Sequence, residues 1–163
     1  MTAPCPHDRT TESRTDAQVQ HALHAAVARV AATGGRLTEP RRRVLELLLQ
    51  AYGPVKAYDL VARFHADRRV AKPATIYRAL EFLERMGLAH RLSTLKAYVA
   101  CHRDLPAHSP AFLICECCGA LREIPASGAT PLVTAAAALG YTIDHITIEA
   151  EGRCQPCPLE KVE

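Results

Sequence analysis

Four of the seven cysteines in this 163-residue chain form two pairs, each with a gap of two residues. The pairs are Cys115 with Cys118 and Cys154 with Cys157, and 35 residues lie between them. A two-residue gap lets both thiolates of a pair face one ion, and four thiolates suit the tetrahedral coordination of zinc. Gly119, directly after the first pair, fits the tight turn that this arrangement requires. The spacing therefore predicts a structural zinc site rather than four unconnected buried thiols.

Two further cysteines are not expected to bind this zinc. Cys117 lies between the members of the first pair, and the loop is too short for a second good ligand pair, so we expect a small strand-end or turn residue there. Cys5 lies in the polar start of the chain and is expected to be unligated. That start has no apolar stretch typical of a secretory signal, so we expect a cytoplasmic protein with reduced thiols. An odd number of cysteines also fits a disulfide framework poorly.

A second group of metal-binding side chains is scattered over the middle of the sequence. Its members are His90, Cys101, His102, His108 and Glu123. One thiolate, two imidazoles and one carboxylate would suit zinc. Cys101 and His102 are neighbours on one predicted strand and point to opposite faces, so both cannot easily join the set. Spacing alone leaves open whether these residues bind a metal, since a histidine in a loop is usually solvated and Glu123 alone would be a surface acid.

Four helical segments are predicted to precede these ligands. They are "AQVQHALHAAVARVAAT", with Asp16 as its cap, then "EPRRRVLELLLQAY", "AYDLVARFHAD" and "PATIYRALEFLERMG". Pro40 and Pro73 stand in first turns, where proline is tolerated. Two short apolar stretches then predict a hairpin of Leu88–Leu92 with Ala97–Cys101. Helices followed by a hairpin are typical of a winged helix-turn-helix, in which the last helix enters the major groove of DNA.

The second half predicts a small α/β unit. "AFLICECC" and "ALREIPA" favour strands around a turn, "TPLVTAAAALG" a helix and "YTIDHITIEAEG" a last strand. About 55 residues bury little core alone, so a bound metal or dimerisation is expected. The predicted fold is α+β, with an N-terminal winged helix-turn-helix domain and a small C-terminal α/β dimerisation domain. We predict a flexible tail at 1–15, the winged-helix domain at 16–102, a hinge linker at 103–109 and the dimerisation domain at 110–163.

The charges follow the same division. From Arg36 to Lys96 there are 13 Lys and Arg against 6 Asp and Glu, and from Ala97 to Glu163 there are 4 against 8. A basic module before an acidic one is typical of a nucleic-acid binder joined to a second domain, although a solvated surface can also be basic. No apolar run reaches the roughly 20 residues that span a bilayer, so no membrane partner is expected.

These segments together resemble the ferric uptake regulator family, and within it the zinc uptake regulators. The resemblance covers about residues 20–158 and is carried by "RLTEPRRRVLELL", "AYDL", "KPATIYRALEFLERMGLAHRL", "YVACH" and "FLICECCGALREI…GRCQPC". It implies a dimeric, metal-dependent transcriptional repressor that binds double-stranded operator DNA, takes no small organic ligand and is not an enzyme. Two zinc ions per chain are implied, at the structural site and at a regulatory site.

The resemblance also implies particular ligands and DNA contacts. The structural zinc falls on Cys115, Cys118, Cys154 and Cys157, and the regulatory zinc on His90, Cys101, His108 and Glu123. The DNA contacts fall on Tyr58, Thr75, Tyr77 and Arg78, while Arg41, Arg42 and Lys72 are expected to bind phosphates. Core packing is the alternative for Tyr77. "TEPRRR" departs from the Thr-Pro-Gln-Arg of relatives, and His145 is the only remnant of a third metal site, which we do not predict.

The resemblance favours zinc as the sensed metal. The segment before the first pair, "HSPAFLICECC", lacks the histidine-rich stretch usual in the iron-sensing branch, and Cys101 adds a thiolate. Iron, manganese or peroxide sensing within the same family is the alternative. A zinc hydrolase or deaminase is a rival of another class, but the deaminase pattern H-x-E followed by P-C-x-x-C is absent. A zinc-stabilised dimerisation module without sensing is a second rival.

Overall fold

The computed structural model describes residues 14–51, 53–66, 72–101, 110–126, 129–143 and 146–154, without the side chains of residues 65, 66, 129 and 130. Described residues up to Cys101 fall in one compact unit, here the N-terminal unit, and those from Pro110 onward in another, the C-terminal unit. The N-terminal unit contains α1 (Asp16–Ala32), α2 (Glu39–Gln50), β1 (Val55–Lys56), α3 (Ala57–Ala66), α4 (Pro73–Arg85), β2 (Ala89–Leu92) and β3 (Ala97–Ala100). The C-terminal unit contains β4 (Pro110–Cys115), β5 (Leu121–Pro125), α5 (Ala129–Ala138) and β6 (Ile148–Gly152).

The helices of the N-terminal unit share one apolar core. Each helix places an apolar stripe at helical spacing into it, because residues three, four or seven apart lie on one face. The fully buried members include Leu23 of α1, Val44 of α2, Leu60 of α3 and Leu80 of α4. Packing of these stripes fixes α4 against α2 and leaves its opposite face at the surface.

Helix α1 begins with a capping box. The Thr15 hydroxyl accepts a hydrogen bond from the Gln18 N–H at 3.3 Å, and the Thr15 N–H donates to the Gln18 side-chain oxygen at 2.8 Å. The predicted cap, Asp16, was wrong by one residue: Asp16 is the first residue of the helix. Thr15 is preferred because its reciprocal bonds satisfy two backbone donors that a helix start leaves open.

A small antiparallel sheet follows the helices. Its strand order is β1-β3-β2, with Val55 opposite Tyr98 and His90 opposite Val99. The β2–β3 hairpin is the predicted wing, but β3 ends at Ala100, so Cys101 lies just after the strand rather than in it. Strand β1 was not predicted, because two residues between a proline and a helix give no alternation to recognise.

The C-terminal unit is a three-stranded sheet with a helix. Strand β4 lies in the centre, antiparallel to β5 and parallel to β6. The last strand is shorter than predicted, since Tyr141–Ile143 and residues 146–147 are not strand. Among the described residues of this unit, those buried belong to the central strand, with Phe112 1% exposed.

Much apolar surface of the C-terminal unit is exposed. Its larger exposed side chains are Leu113, Ile124, Leu132, Val133, Leu139, Tyr141 and Ile143. Among the described residues, no helix is long and apolar enough to cross a membrane. The predicted α+β class, with a winged helix before a small α/β domain, is confirmed.

Candidate metal centres and nucleic-acid interface

Three of the four paired cysteines meet at one end of the C-terminal sheet. The sulfurs of Cys115, Cys118 and Cys154 all lie within 4.8 Å of one another, and the Cys118 and Cys154 sulfurs are 3.6 Å apart. Cys115 ends the buried strand β4, whereas Cys154 follows β6 by two residues. The parallel pairing of β4 with β6 therefore brings together residues 39 positions apart. Cys157 lies outside the described residues.

A tight turn after β4 shapes this thiol cluster. Gly119 has a φ of +70°, a left-handed conformation that suits glycine, and its N–H donates to the Cys115 carbonyl at 2.9 Å. The Glu116 N–H donates to the Gly152 carbonyl at 2.8 Å, which ties the turn to β6. Cys117 lies in this turn with its side chain exposed.

The electrostatics of the cluster favour a thiolate. Burial alone would raise the pKa of the Cys115 thiol, but hydrogen bonds from the backbones of Cys118, Cys154 and Cys117 and from the Cys118 side chain lower that pKa to about 6. One of these is the Cys154 N–H, which lies 3.4 Å from the Cys115 sulfur. The thiolate is the form that binds a metal.

The cluster fits zinc. Zinc–sulfur bonds of about 2.3 Å in a tetrahedron place neighbouring sulfurs about 3.8 Å apart. The measured separation of 3.6 Å between two of the sulfurs is close to that edge. Three thiol donors in this geometry, on a strand end and a glycine turn, can supply three of the four ligands of a structural zinc site.

A second pair of donors lies at the base of the wing. His90, on β2, is only 2% exposed, and a ring nitrogen lies within 4.8 Å of the Cys101 sulfur. Cys101 is half-buried, and its N–H donates to the Leu88 carbonyl at 3.0 Å, which extends the hairpin pairing by one bond. Glu123 is half-buried on β5 opposite Phe112. His102 and His108 lie outside the described residues, as do His145 and Cys5.

The predicted DNA contacts lie at the surface of the N-terminal unit. Tyr58, at the start of α3, is 70% exposed, and Tyr77 on α4 is 47% exposed, which argues against core packing of Tyr77. Arg78 is exposed beside it, and Thr75 is half-buried one turn earlier. Lys72 is exposed before α4, and Arg42 is half-buried on α2. One face of α4 thus presents a hydroxyl, a phenol and a guanidinium together.

Arg41 makes contacts that the sequence did not predict. Its guanidinium carbon lies 3.6 Å from the centroid of the Phe82 ring, and its Nη1 donates to the Arg36 carbonyl at 2.9 Å. Phe82 is on α4, so Arg41 joins the loop before α2 to the helix that carries the predicted base contacts. No local sequence pattern predicts this contact, because Arg41 and Phe82 are 41 positions apart in the chain.

Comparison with known proteins agrees with this architecture. The profile of the Ferric uptake regulator family matches residues 32–151. The chain is 41% identical over 124 residues to the zinc uptake regulation protein of Escherichia coli (strain K12), covering 75% of this chain and 72% of that protein.

Solved structures are similar over most of the chain. A zinc uptake regulator complexed with zinc and DNA has a TM-score of 0.76 at 38% identity, covering 88% of this chain and 96% of the other. Holo XcZur has a TM-score of 0.73 at 37% identity, covering 83% and 95%. The chain belongs to the ferric uptake regulator family.

Proposed function

We propose that this chain is a zinc-responsive transcriptional repressor that binds operator DNA as a dimer and controls zinc uptake. The observation that carries the proposal is the buried imidazole of His90 beside the Cys101 thiol, at the base of a DNA-binding wing. A mixed nitrogen and sulfur donor pair suits zinc better than the harder metals that prefer oxygen. The 41% identity to a zinc uptake regulation protein and the likeness to a regulator complexed with zinc and DNA support it.

The structural site holds the C-terminal unit together in this proposal. Cys115, Cys118 and Cys154 are its described ligands, and Cys157 is proposed as the fourth from its spacing. Zinc held by these thiolates would link the end of β4 to Cys154, just after β6. Such a link compensates for the small core of this unit, in which little besides β4 is buried.

The regulatory site uses His90 and Cys101 together with His108 and Glu123, and brings the total to two zinc ions per chain. The first two ligands precede residues 103–109, His108 lies within that segment, and Glu123 follows it. Coordination by all four would restrict the arrangements open to this linker. It would thereby favour arrangements in which the two α4 helices of a dimer reach successive major grooves.

Sequence recognition is assigned to the exposed face of α4. Arg78 is suited to the acceptors on the major-groove edge of guanine, and Tyr77 and Thr75 lie on the same helix. Tyr58 lies at the start of α3, where its exposed ring can contact a thymine methyl or a phosphate. Arg42, Lys72 and Arg41 are proposed as phosphate contacts, which add affinity but little sequence information.

Dimerisation is assigned to the C-terminal unit. Seven of the described large apolar side chains of this small unit are exposed, and extensive exposed apolar surface usually binds another chain. A two-fold dimer would present two winged helices to the two halves of an operator.

The test measures metal content and DNA binding on the same samples. The probe is a duplex selected from a random pool by the zinc-loaded chain. The proposal predicts two zinc ions per chain. A mild chelator should remove one of them, and DNA binding should be lost at the same time. One tightly bound zinc with DNA binding that ignores added zinc would reject sensing. If iron or manganese restored DNA binding better than zinc, the sensed metal would not be zinc. Metal-dependent turnover of an ester or a nucleobase would instead indicate an enzyme.

His90→Ala and Cys101→Ser test the sensing ligands directly. We expect either variant to keep the structural zinc and the fold but to lose the zinc dependence of DNA binding. The measurement is affinity for the selected duplex across buffered zinc concentrations. Unchanged zinc dependence in either variant would show that the sensing site has been misassigned.

A further inference from the structure

The turn of the wing, Ser93–Lys96, contains an unusual backbone conformation. Lys96 has a φ of +48°, and its N–H donates to the Ser93 carbonyl at 3.2 Å to close the turn. Every other positive-φ position among the described residues is a glycine: Gly34, Gly87, Gly119 and Gly140. A side chain in this region costs roughly 1 kcal/mol relative to glycine. Lys96 thus holds a long charged side chain at a position where glycine would be less strained.

The hairpin that carries Lys96 is basic. Lys56 on β1 is exposed and pairs with Ala97, so the strand register places it diagonally beside Lys96. The hairpin from Met86 to Cys101 also contains Arg91 and has no acidic residue. Neither lysine forms an ion pair with any residue that the structure describes. Two exposed lysines, on neighbouring segments of the chain, thus lie at this end of the wing.

The wing lies beside the face of α4 that is proposed to bind bases. Tyr98, two residues after Lys96, is next to Arg91 across the hairpin. Burial raises the pKa of the Tyr98 phenol, and the charges of Glu84, Tyr77 and Glu81 on α4 raise it further, while Arg91 opposes them. The Tyr98 phenol therefore lies near the side of α4 that carries Tyr77, Glu81 and Glu84. Lys96 lies two residues before Tyr98, in the turn that precedes β3, so its Cα is within roughly 7 Å of that of Tyr98.

We propose that Lys96, with Lys56 beside it, binds DNA phosphates next to the bases that α4 contacts. The proposal rests on the DNA-binding function proposed above and adds a contact that the sequence did not predict. Each phosphate contact releases condensed counterions, so it contributes about 0.9 to the slope of log affinity against log salt concentration. The two lysines would together contribute about 1.8 to this slope per chain.

The test compares Lys96→Gly with Lys96→Arg in the zinc-loaded full chain, using the selected duplex at several salt concentrations. We expect Lys96→Gly to be at least as stable as the wild type, because glycine adopts this conformation without strain. It should nevertheless bind DNA about five-fold more weakly at 0.15 M salt, with the slope reduced by about 0.9 for each chain bound. Lys96→Arg should keep both affinity and slope, and adding Lys56→Gln to Lys96→Gly should lower the slope again.

Two outcomes would overturn the contact. A Lys96→Gly variant with wild-type affinity and slope would leave Lys96 as a turn residue only, with the zinc-dependent DNA binding of the wild type unaffected. An equal loss of affinity in Lys96→Arg would attribute the effect to turn shape rather than charge. If the wild-type chain bound no duplex at any zinc concentration, the proposed function itself would fail, which is a distinct result.

Discussion

At the scale of single residues, neighbouring cysteines in one turn have different surroundings. Cys118 lies 3.6 Å from the Cys154 sulfur, whereas Cys117 is exposed. We expect Cys118→Ser to lose the structural zinc and to unfold at a lower temperature, because a hydroxyl is a poor substitute for a thiolate ligand. Cys117→Ser should keep full zinc content and stability. Zinc analysis with thermal unfolding of both variants checks this, and zinc loss from Cys117→Ser would contradict the ligand assignment.

Arg41 and Arg42 are adjacent but have different contacts. Arg41 lies over the Phe82 ring and donates to the Arg36 carbonyl, while the Arg42 side chain donates to the Gln20 side-chain oxygen at 3.5 Å. We expect Arg41→Met to lower the free energy of unfolding by about 1–2 kcal/mol, since it removes a cation–π contact and a hydrogen bond.

Arg42→Met is the matched control for this substitution. It should hardly change the free energy of unfolding. It should lower the affinity for DNA and reduce the slope of log affinity against log salt concentration, as loss of a phosphate contact does. The shift of the urea midpoint of the zinc-loaded chain measures the first effect. Equal midpoints for the two variants would show that Arg41 has no positioning role.

At the scale of elements, the start of α1 depends on Thr15 rather than Asp16. Replacing Thr15 with Ala removes the bond to the Gln18 N–H and should cost about 1 kcal/mol of stability. Asp16→Ala removes only a favourable charge in the first turn, worth a few tenths of a kcal/mol in exposed helices. Chemical unfolding of the two variants distinguishes them, and a larger cost for Asp16→Ala would restore Asp16 as the cap.

The sequence predicted the four helices of the N-terminal unit well because each buries a periodic apolar stripe. A proline, a glycine or a polar cap also marks the boundaries of α1, α2 and α4. Val19, Leu23, Ala26 and Val30 of α1 are buried at that spacing. The last strand was predicted too long, because the alternation in "YTIDHITIEAEG" continues beyond the residues that pair with β4. Alternation indicates which face is apolar, but pairing depends on a partner strand that the local sequence does not contain.

The clustering of thiols was predictable where the cysteines are close in sequence. The gap between Cys115 and Cys118 constrains both sulfurs to one turn, so spacing alone indicated a shared ion. The contact of Arg41 with Phe82 depends on the packing of α2 against α4, and the strain at Lys96 depends on a four-residue turn. Neither feature can be recognised from the type of residue alone, because arginine and lysine are common on any basic surface.

At the scale of the whole molecule, the proposed dimer depends on the exposed apolar surface of the C-terminal unit. Leu132 and Val133 on α5 are 53% and 44% exposed, so a charge there should leave the folded chain intact. We expect Leu132→Glu and Val133→Glu to convert dimers to monomers, because burying an unpaired carboxylate in an apolar interface is costly. DNA affinity should fall with them, since one winged helix binds only half of a two-fold operator.

The matched control for these variants is Val27→Glu. Val27 is 43% exposed on α1, in the N-terminal unit, and is as apolar as Val133. This variant should remain dimeric by sedimentation velocity at the concentration at which Val133→Glu is monomeric. If each zinc site is formed within one chain, both α5 variants should still bind two zinc ions per chain. Zinc analysis therefore distinguishes loss of dimerisation from loss of folding. A Val133→Glu variant that sediments as a dimer would place the interface on another surface of the C-terminal unit.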